Sequence, residues 1–293
     1  MMTALSKRLG RKNRPAAAFV AFAVACTLGG DAFAQATSQS LDHVPPPEGL
    51  VKIASTWTDR APIESITVIG ETQNDITEFY VYVPRDGQRL TLQMQSACDF
   101  GTVYRAVNGD VLFDRRGDVS SGDELCDEFW PLQAGDEFET IEGLQVRIDS
   151  IDTFEFNVDG EVETAIGYDA RSQGSRGGPE VQRVSVQGYG SVLQIIPDLS
   201  LSLPSIMQRF DEPGLSHVFA RCHIEGDLVT CFCVVEQAEQ HLELETLRQV
   251  ADNVRVATTS VVPITSDQEN TDVIAFVEAS DQSCSFDAFP LLN

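Results

Sequence analysis

The chain has 293 residues, with 45 acidic against 20 basic side chains and a formal net charge of −25 at pH 7. A surface this acidic repels phosphate backbones and anionic lipid headgroups, so the composition argues against nucleic-acid binding and against binding at a membrane surface. The chain is long for one domain and comfortable for two.

The first 34 residues have the order of a secretory signal peptide. Basic residues lie between positions 7 and 14, an apolar run covers 16–28, and Ala32-Phe33-Ala34 is a small-x-small cleavage motif. The apolar run is short for a membrane span and is soon followed by Asp31. We therefore predict Sec-type export to the periplasm or the medium, with cleavage near Ala34 and no integral membrane segment afterwards.

Cleavage there would leave 15 basic and 44 acidic residues, a formal charge of −29, and an even number of cysteines. The remaining cysteines are Cys98, Cys126, Cys222, Cys231, Cys233 and Cys284. Exported proteins fold in an oxidising compartment, so this count predicts up to three disulfides. A lipoprotein attached through Cys26 is an alternative, but the large aliphatic residue usually expected three positions before that cysteine is missing.

The middle of the chain is β-rich. Residues 35–50 contain three consecutive prolines and predict an extended lead-in. Short alternating runs over 51–170 predict an antiparallel β domain. Three dipeptides are typical of hairpin turns: Asp86-Gly87, Asn108-Gly109 and Asp159-Gly160. Residues 171–180, rich in glycine and serine, predict a linker between two domains or a long exposed loop.

Residues 181–293 predict a small α+β domain. Alternation over 218–235 around Gly226-Asp227 predicts a buried hairpin, and apolar residues at helical spacing predict a helix over 236–254. An extended segment and a last strand over 272–279 follow. The predicted fold class is therefore α+β and β-rich, an antiparallel β domain followed by a small α+β domain.

The last third resembles the C-terminal domain of TonB-family proteins over roughly residues 200–280. The resemblance is carried by GLSHVFARC at 214–222, EGDLVTC at 225–231, VVE at 234–236, the helix and arginine-containing segment at 247–256, and the strand at 272–279. It implies binding rather than chemistry. In that family the last strand offers its edge to an extended peptide, which adds as a further strand. The corresponding edge residues here are Val273, Ile274, Ala275, Phe276 and Val277, and the expected partner is an envelope protein or an extended peptide.

The six cysteines can be paired by geometry. With Gly226-Asp227 as a hairpin turn, Cys222 and Cys231 form a non-hydrogen-bonded pair with Cα atoms about 4.5 Å apart, within the ~4.4–6.8 Å that a disulfide accepts. Cys98 and Cys126 flank the Asn108-Gly109 hairpin and form a plausible local pair. Cys233 is then left to pair with Cys284.

Two metal sites are alternatives to these interpretations. The thiols of Cys222, Cys231 and Cys233, with His217 and His223, could bind zinc or cuprous copper. Neighbours along a strand point to opposite faces, however, so this cluster favours disulfides. The acidic residues over 118–128 could bind calcium, although such runs are more often solvated loops. We therefore predict no metal and no cofactor.

The sequence contains no G-x-S-x-G elbow, H-E-x-x-H helix or phosphate-cradling glycine loop. We therefore predict an exported binding or envelope-assembly protein without catalytic residues. A hydrolase with its site in the β domain or between the domains, and a metal-binding periplasmic protein, are the alternatives.

Overall fold

The computed structural model describes residues 40–57, 62–85, 88–117, 119, 122–174, 179–223, 227–243, 247, 254–256, 261–263 and 271–284. The signal-peptide prediction for residues 1–34 lies outside these residues. Strands dominate the described part: β1 (Ser40–Leu41), β2 (Val51–Trp57), β3 (Pro62–Gln73), β4 (Ile76–Arg85), β5 (Gln88–Ala97), β6 (Gly101–Val107), β7 (Asp110–Asp114), β8 (Leu132–Gln133), β9 (Glu137–Glu139), β10 (Leu144–Val158), β11 (Glu161–Gly174), β12 (Val181–Val186), β13 (Gly190–Ile196), β14 (Leu201–Gln208), β15 (Val254–Val256) and β16 (Val261–Pro263).

Helices accompany the strands in the described part of the chain: α1 (Asp123–Phe129), α2 (Pro213–His223), α3 (Leu228–His241) and α4 (Thr271–Ser283), with a 3-10 turn at Pro197–Leu199. None of the helices in the described part of the chain is long and apolar enough to span a bilayer. The β-rich character predicted from the sequence is confirmed.

Twelve strands form one sheet in the order β7-β6-β5-β4-β3-β2-β14-β13-β12-β11-β10-β9, in which these neighbours pair antiparallel. β10 also pairs in parallel with β14, through Asn157↔Ile206 and Val158↔Met207. The strands from β10 to β14 therefore form a closed circuit of hydrogen-bonded neighbours, while β2 to β7 extend from it.

The hairpin turns follow the turn chemistry of the sequence. Val107 pairs with Asp110 across Asn108-Gly109, and Val158 pairs with Glu161 across Asp159-Gly160, so both predictions are confirmed. Arg85 pairs with Gln88, but residues 86–87 between them lie outside the described residues.

The helices cover one face of the extended part of the sheet. Because neighbours along a strand point to opposite faces, alternate residues of β2, β3 and β4 face the helices. The buried residues that meet there include Val51, Ile53, Ile66, Val68 and Tyr82 from the strands and Leu215, Phe219, Val234, Ala238 and Phe276 from α2, α3 and α4. Separate buried clusters form around Met207 and around Ile148. Helices and strands thus share a core that is formed jointly by both ends of the chain.

This shared core changes the predicted domain division. The described residues belong to one compact unit, Ser38–Asn293. β11 continues to Gly174, inside the predicted linker 171–180, and β14 pairs directly with β2. The predicted boundary between 51–170 and 181–293 is therefore wrong, because one sheet runs through both parts. The predicted lead-in also contains β1 and the buried Leu50.

The predicted hairpin over 218–235 is replaced by two helices, α2 and α3. The Asp227 side chain accepts a hydrogen bond from the Thr230 amide at 2.9 Å, so it caps the N-terminus of α3 rather than forming a hairpin turn. Pro213 begins α2, a position where its missing N–H costs nothing. α3 starts earlier than the helix predicted over 236–254, and residues 244–246 and 248–253 of that prediction lie outside the described residues.

The predicted last strand is wrong as well. Residues 271–283 form α4, and the proposed peptide-binding edge of Val273, Ile274, Ala275, Phe276 and Val277 lies in this helix. Apolar residues at 273, 276 and 277 recur at helical spacing, and Phe276 is fully buried in the core that also contains residues of α2 and α3. A helix satisfies its own backbone groups, so this segment offers no strand edge to a peptide.

Candidate functional site

A cavity of about 350 Å³ lies between the sheet and α2, and we call it the α2 cavity. Its lining is mainly polar and aromatic: Tyr80, Tyr82, Thr91, Gln93, Ala106, Asn108, Gly109, His217 and Arg221. These residues come from β4, β5, β6, the turn after β6, and α2. Distant parts of the sequence therefore converge on one space.

The floor of the α2 cavity is set by strand register. Tyr80 pairs with Gln93 and Tyr82 with Thr91 across β4 and β5, and Gln93 pairs with Ala106 across β5 and β6. Directly paired residues project from the same face of a sheet. The two tyrosines, the two polar residues and the small alanine therefore form one continuous surface.

The rim next to β5 is held by the Asn108-Gly109 turn. The Asn108 amide donates to the Thr91 carbonyl at 2.9 Å, and the Thr91 amide donates to Asn108 Oδ1 at 3.0 Å. Both turn residues have positive φ, 50° at Asn108 and 87° at Gly109, which asparagine and glycine tolerate. The same turn that closes the β6–β7 hairpin thus fixes Asn108 beside Thr91.

α2 forms the opposite wall. His217 and Arg221 are four residues apart, so they lie on one face of the helix. Tyr82 Oη and His217 Nδ1 are hydrogen-bonded at 3.1 Å, and the Tyr80 ring meets the imidazole edge-on at 4.9 Å between centroids. The Arg221 guanidinium carbon lies 4.9 Å from the centroid of the Tyr82 ring, a cation–π arrangement.

Glu78 is held just outside the lining. Its carboxylate accepts a hydrogen bond from Tyr80 Oη at 2.7 Å and another from Gln95 Nε2 at 2.8 Å. Among the described lining residues there is no carboxylate or thiol. The charged and titratable groups that this part of the chain brings to the α2 cavity are the Arg221 guanidinium, the His217 imidazole and the two tyrosine hydroxyls.

Lys52 is a second residue with an unusual environment, and it lies on the face of the sheet opposite the helices. It lies on β2 between Val51 and Ile53, which pack towards the helices, so its side chain points to the other side of the sheet. Burial lowers the pKa of Lys52 to about 8, although attraction to Asp99 acts in the opposite direction. A Cβ on Gly190 would lie 3.2 Å from Lys52 Nζ, so the ammonium group is packed against that backbone.

Lys52→Met is expected to raise the free energy of unfolding at pH 7 by up to about 3 kcal/mol, because a charged amine is costly in this packed position. This value is an upper limit, because part of the side chain stays exposed. Below pH 8 the amine is charged in both folded and unfolded chains, so the cost is fully present. Above pH 8 the folded chain loses the proton first, so wild-type stability rises with pH towards 10.5. Denaturant unfolding should show the advantage of the variant shrinking by about 2 kcal/mol between pH 7 and 9.5.

Arg147→Met is the control, because this arginine is largely exposed on β10 and paired with Asp149. Its effect on unfolding should be small and similar at the two pH values. An equal stability difference between Lys52→Met and wild type at both pH values would contradict the low pKa of Lys52.

The predicted disulfides are all present. Cys98–Cys126, Cys222–Cys231 and Cys233–Cys284 have Cα–Cα distances of 5.4, 5.5 and 5.6 Å. Cys222 and Cys231 join α2 to α3, and Cys233 and Cys284 join α3 to the residue after α4. The cysteine cluster considered for zinc or copper is thus oxidised, and the described residues contain no group of three or more His, Cys, Asp or Glu side chains suited to a metal.

Sequence reasoning missed most of the α2 cavity. His217 was considered only as a metal ligand, and the tyrosines of β4 were not considered at all. A usable signal was present: Tyr80 and Tyr82 alternate on one strand, Thr91 and Gln93 alternate on the next, and His217 and Arg221 have helical spacing. Interpreting 218–235 as a hairpin placed Arg221 on a strand, so its helical spacing from His217 was not used.

The sequence matches no protein-family model and no curated protein. Among solved structures, the chain is similar to a crystal structure from Bacteroides fragilis NCTC 9343 of a protein inferred to be exported and described as having a YmcC-like fold. The alignment has 13% identity and a TM-score of 0.27, and it covers 58% of this chain and 98% of that chain. A likeness at this TM-score supports no conclusion about fold or function.

Proposed function

We propose that this protein is an exported, non-catalytic binding protein that takes a small polar ligand into the α2 cavity. The observation that carries the proposal is the convergence of paired strand residues and two helix residues on a space of about 350 Å³. Ligand pockets of drug-sized molecules span roughly 300–1,000 Å³, so the α2 cavity has the size of a small site.

Preorganisation supports this proposal. Tyr82 is held by His217, Tyr80 by Glu78, and Asn108 by the Thr91 backbone. Side chains that are already fixed lose little conformational entropy when a ligand arrives, which favours affinity. The lining thus has the character of a binding surface that is formed before the ligand is present.

Binding is favoured over hydrolysis by the composition of the lining. The imidazole of His217 has its Nδ1 hydrogen-bonded to Tyr82, and the described lining residues include no carboxylate or thiol that could serve as a second acid–base group or as a strong nucleophile. All six cysteines after residue 34 are in disulfides. Among the described lining residues, the alternative of a hydrolase therefore lacks its usual pair of groups.

Export is supported by the disulfides and by the signal-peptide pattern of residues 1–34. Three disulfides fit an oxidising compartment, either the periplasm or the medium. The ligand is therefore expected among the small components of the envelope or of the surrounding medium. The TonB-like peptide-binding mode does not support this proposal, because the segment predicted to be the peptide-binding strand forms helix α4.

Ala106→Met tests the proposal by placing a larger side chain into the α2 cavity from the floor. We expect every ligand found for the wild-type protein to bind at least about tenfold more weakly, because the methionine occupies its space. A panel of small polar compounds can be screened by ligand-detected NMR on protein purified after export, and affinities can then be measured by calorimetry.

Val111→Met is the matched control, because Val111 pairs with Ala106 on the same hairpin but is exposed and outside the lining. It should leave binding unchanged. The proposal fails if no compound binds, or if Ala106→Met, folded by circular dichroism, binds as tightly as Val111→Met.

A further inference from the structure

We propose that the Lys52 amine captures a small aldehyde as a reversible imine, with the Asp99 carboxylate carrying protons during the reaction. This is a second binding site, because Lys52 projects from the face of the sheet opposite the helices, whereas the α2 cavity lies on the helix side. The inference therefore goes beyond the function proposed above and does not depend on it.

Lys52 is the only lysine in the sequence after residue 34. The other strongly basic side chains there are arginines, whose guanidinium stays protonated and does not act as a nucleophile. The one lysine lies where its charge costs stability, which is why Lys52→Met is expected to stabilise the fold. Local features that oppose stability are expected mainly at functional sites. The position of this amine therefore favours a chemical role.

The Lys52 amine is packed on its sides but can be reached by a small molecule. Lys52 pairs with Thr67 on β3 and with Met207 on β14, so the three side chains project from the same face. Met207 is fully buried in an apolar cluster. Gly190 has no side chain, and a Cβ there would lie 3.2 Å from Lys52 Nζ. Because Lys52 and Thr67 are only half-buried, a small reactant has access to the amine.

Asp99 brings an acid–base group to this amine. Its carboxylate attracts the Lys52 ammonium group, and its Oδ1 lies 4.0 Å from His43 Nε2. The turn that carries Asp99 is held in place: Cys98 before it is in a disulfide, and the Cys98 carbonyl accepts a hydrogen bond from Trp130 Nε1 at 3.1 Å. The Asp99 side chain is 24% exposed, so it can exchange protons with water.

The chemistry needs a neutral amine. Burial lowers the pKa of Lys52 to about 8, against the attraction of Asp99, so roughly a tenth of the amine is neutral at pH 7. This amine attacks the carbonyl carbon to form a C–N bond, and Asp99 passes one proton from nitrogen to the carbonyl oxygen. The second nitrogen proton follows as the C–O bond breaks, so the oxygen leaves as water and a C=N bond remains. Hydrolysis reverses these steps, and no oxidant or reductant takes part.

Glycolaldehyde with cyanoborohydride tests the proposal on protein purified after export, because the reductant converts each imine into a stable alkylamine that peptide mass spectrometry locates. The matched control is Lys52→Met combined with Arg147→Lys, which moves the one lysine to an exposed position beside Asp149. At pH 7 the wild-type Lys52 should be alkylated at least about tenfold faster than the lysine at position 147, because far more of its amine is neutral. An equal or slower rate at Lys52 overturns the proposal.

Asp99→Asn tests the role of the carboxylate. Asparagine tolerates the left-handed backbone of this position, where φ is 65°, so the turn is retained. If Asp99 carries protons, alkylation of Lys52 should slow at least about tenfold in the variant. If Asp99 acts only through its charge, its removal lowers the pKa of Lys52 further and alkylation becomes faster. A faster reaction therefore overturns the role given to Asp99.

Discussion

Phe219→Ala is expected to lower the free energy of unfolding by about 3–5 kcal/mol, the largest loss expected from a single truncation in this core. Phe219 is fully buried on α2, and its ring lies 5.2 Å from both Phe210 and Phe232. It belongs to the core in which α2, α3 and α4 meet β2, β3 and β4. Truncation leaves a cavity at this junction that the surrounding sheet and helices fill only partly, so transfer and cavity costs add.

Phe232→Ala is the matched control, since Phe232 packs against the same Phe219 ring but is 41% exposed. It should cost clearly less, about 1–2 kcal/mol, because less apolar surface is lost from the core. Denaturant unfolding of both variants measures the difference. If the two substitutions cost the same, the helices are not docked on the sheet as described.

The parts of the fold that the sequence predicted well are those decided by local chemistry. Asn108-Gly109 and Asp159-Gly160 close hairpins because their residues accept positive φ, and that preference acts within four residues. Alternation of apolar and polar residues over 51–170 likewise depends on near neighbours. Neither signal depends on what packs against the strand.

Helix α2 was missed because burial on nearly all sides removes the periodicity that distinguishes a helix from a strand. Nearly every residue from Leu215 to Cys222 is buried, so a period of two and a period of 3.6 fit equally well. Asp227 was ambiguous for a related reason, since aspartate is common both in turns and as a helix cap. Only the tertiary contact with the sheet decides between the two structures.

The Cys222–Cys231 pairing was nevertheless correct, and the reason is independent of secondary structure. The two cysteines are nearly equidistant from Gly226-Asp227, and any reversal of the chain there brings such residues together. Their Cα atoms lie 5.5 Å apart across α2 and α3, compared with the ~4.5 Å expected across a hairpin. The α2 cavity could not be predicted in this way, because Tyr80 and His217 are brought together only by docking of a helix on a distant strand.

Replacing Cys233 and Cys284 together by alanine is expected to cost about 4 kcal/mol of unfolding free energy. These cysteines are 51 residues apart in sequence, so their bond closes a long loop and removes much conformational freedom from the unfolded chain. Replacing Cys222 and Cys231, which are 9 residues apart, should cost about 2.5 kcal/mol. Both double variants remove the same atoms, so the difference between them reports chiefly on loop length.

The slope of unfolding free energy against denaturant gives a second measurement that packing losses do not imitate. Removing the longer crosslink lets the unfolded chain expand more, so the slope should rise more in the Cys233/Cys284 variant than in the Cys222/Cys231 variant. An equal rise in slope, or a greater loss of stability from the shorter loop, would show that these disulfides act mainly through native packing. Because Cys284 follows α4 directly, the expected larger rise in slope would also mean that this bond keeps α4 close to α3 in the unfolded chain.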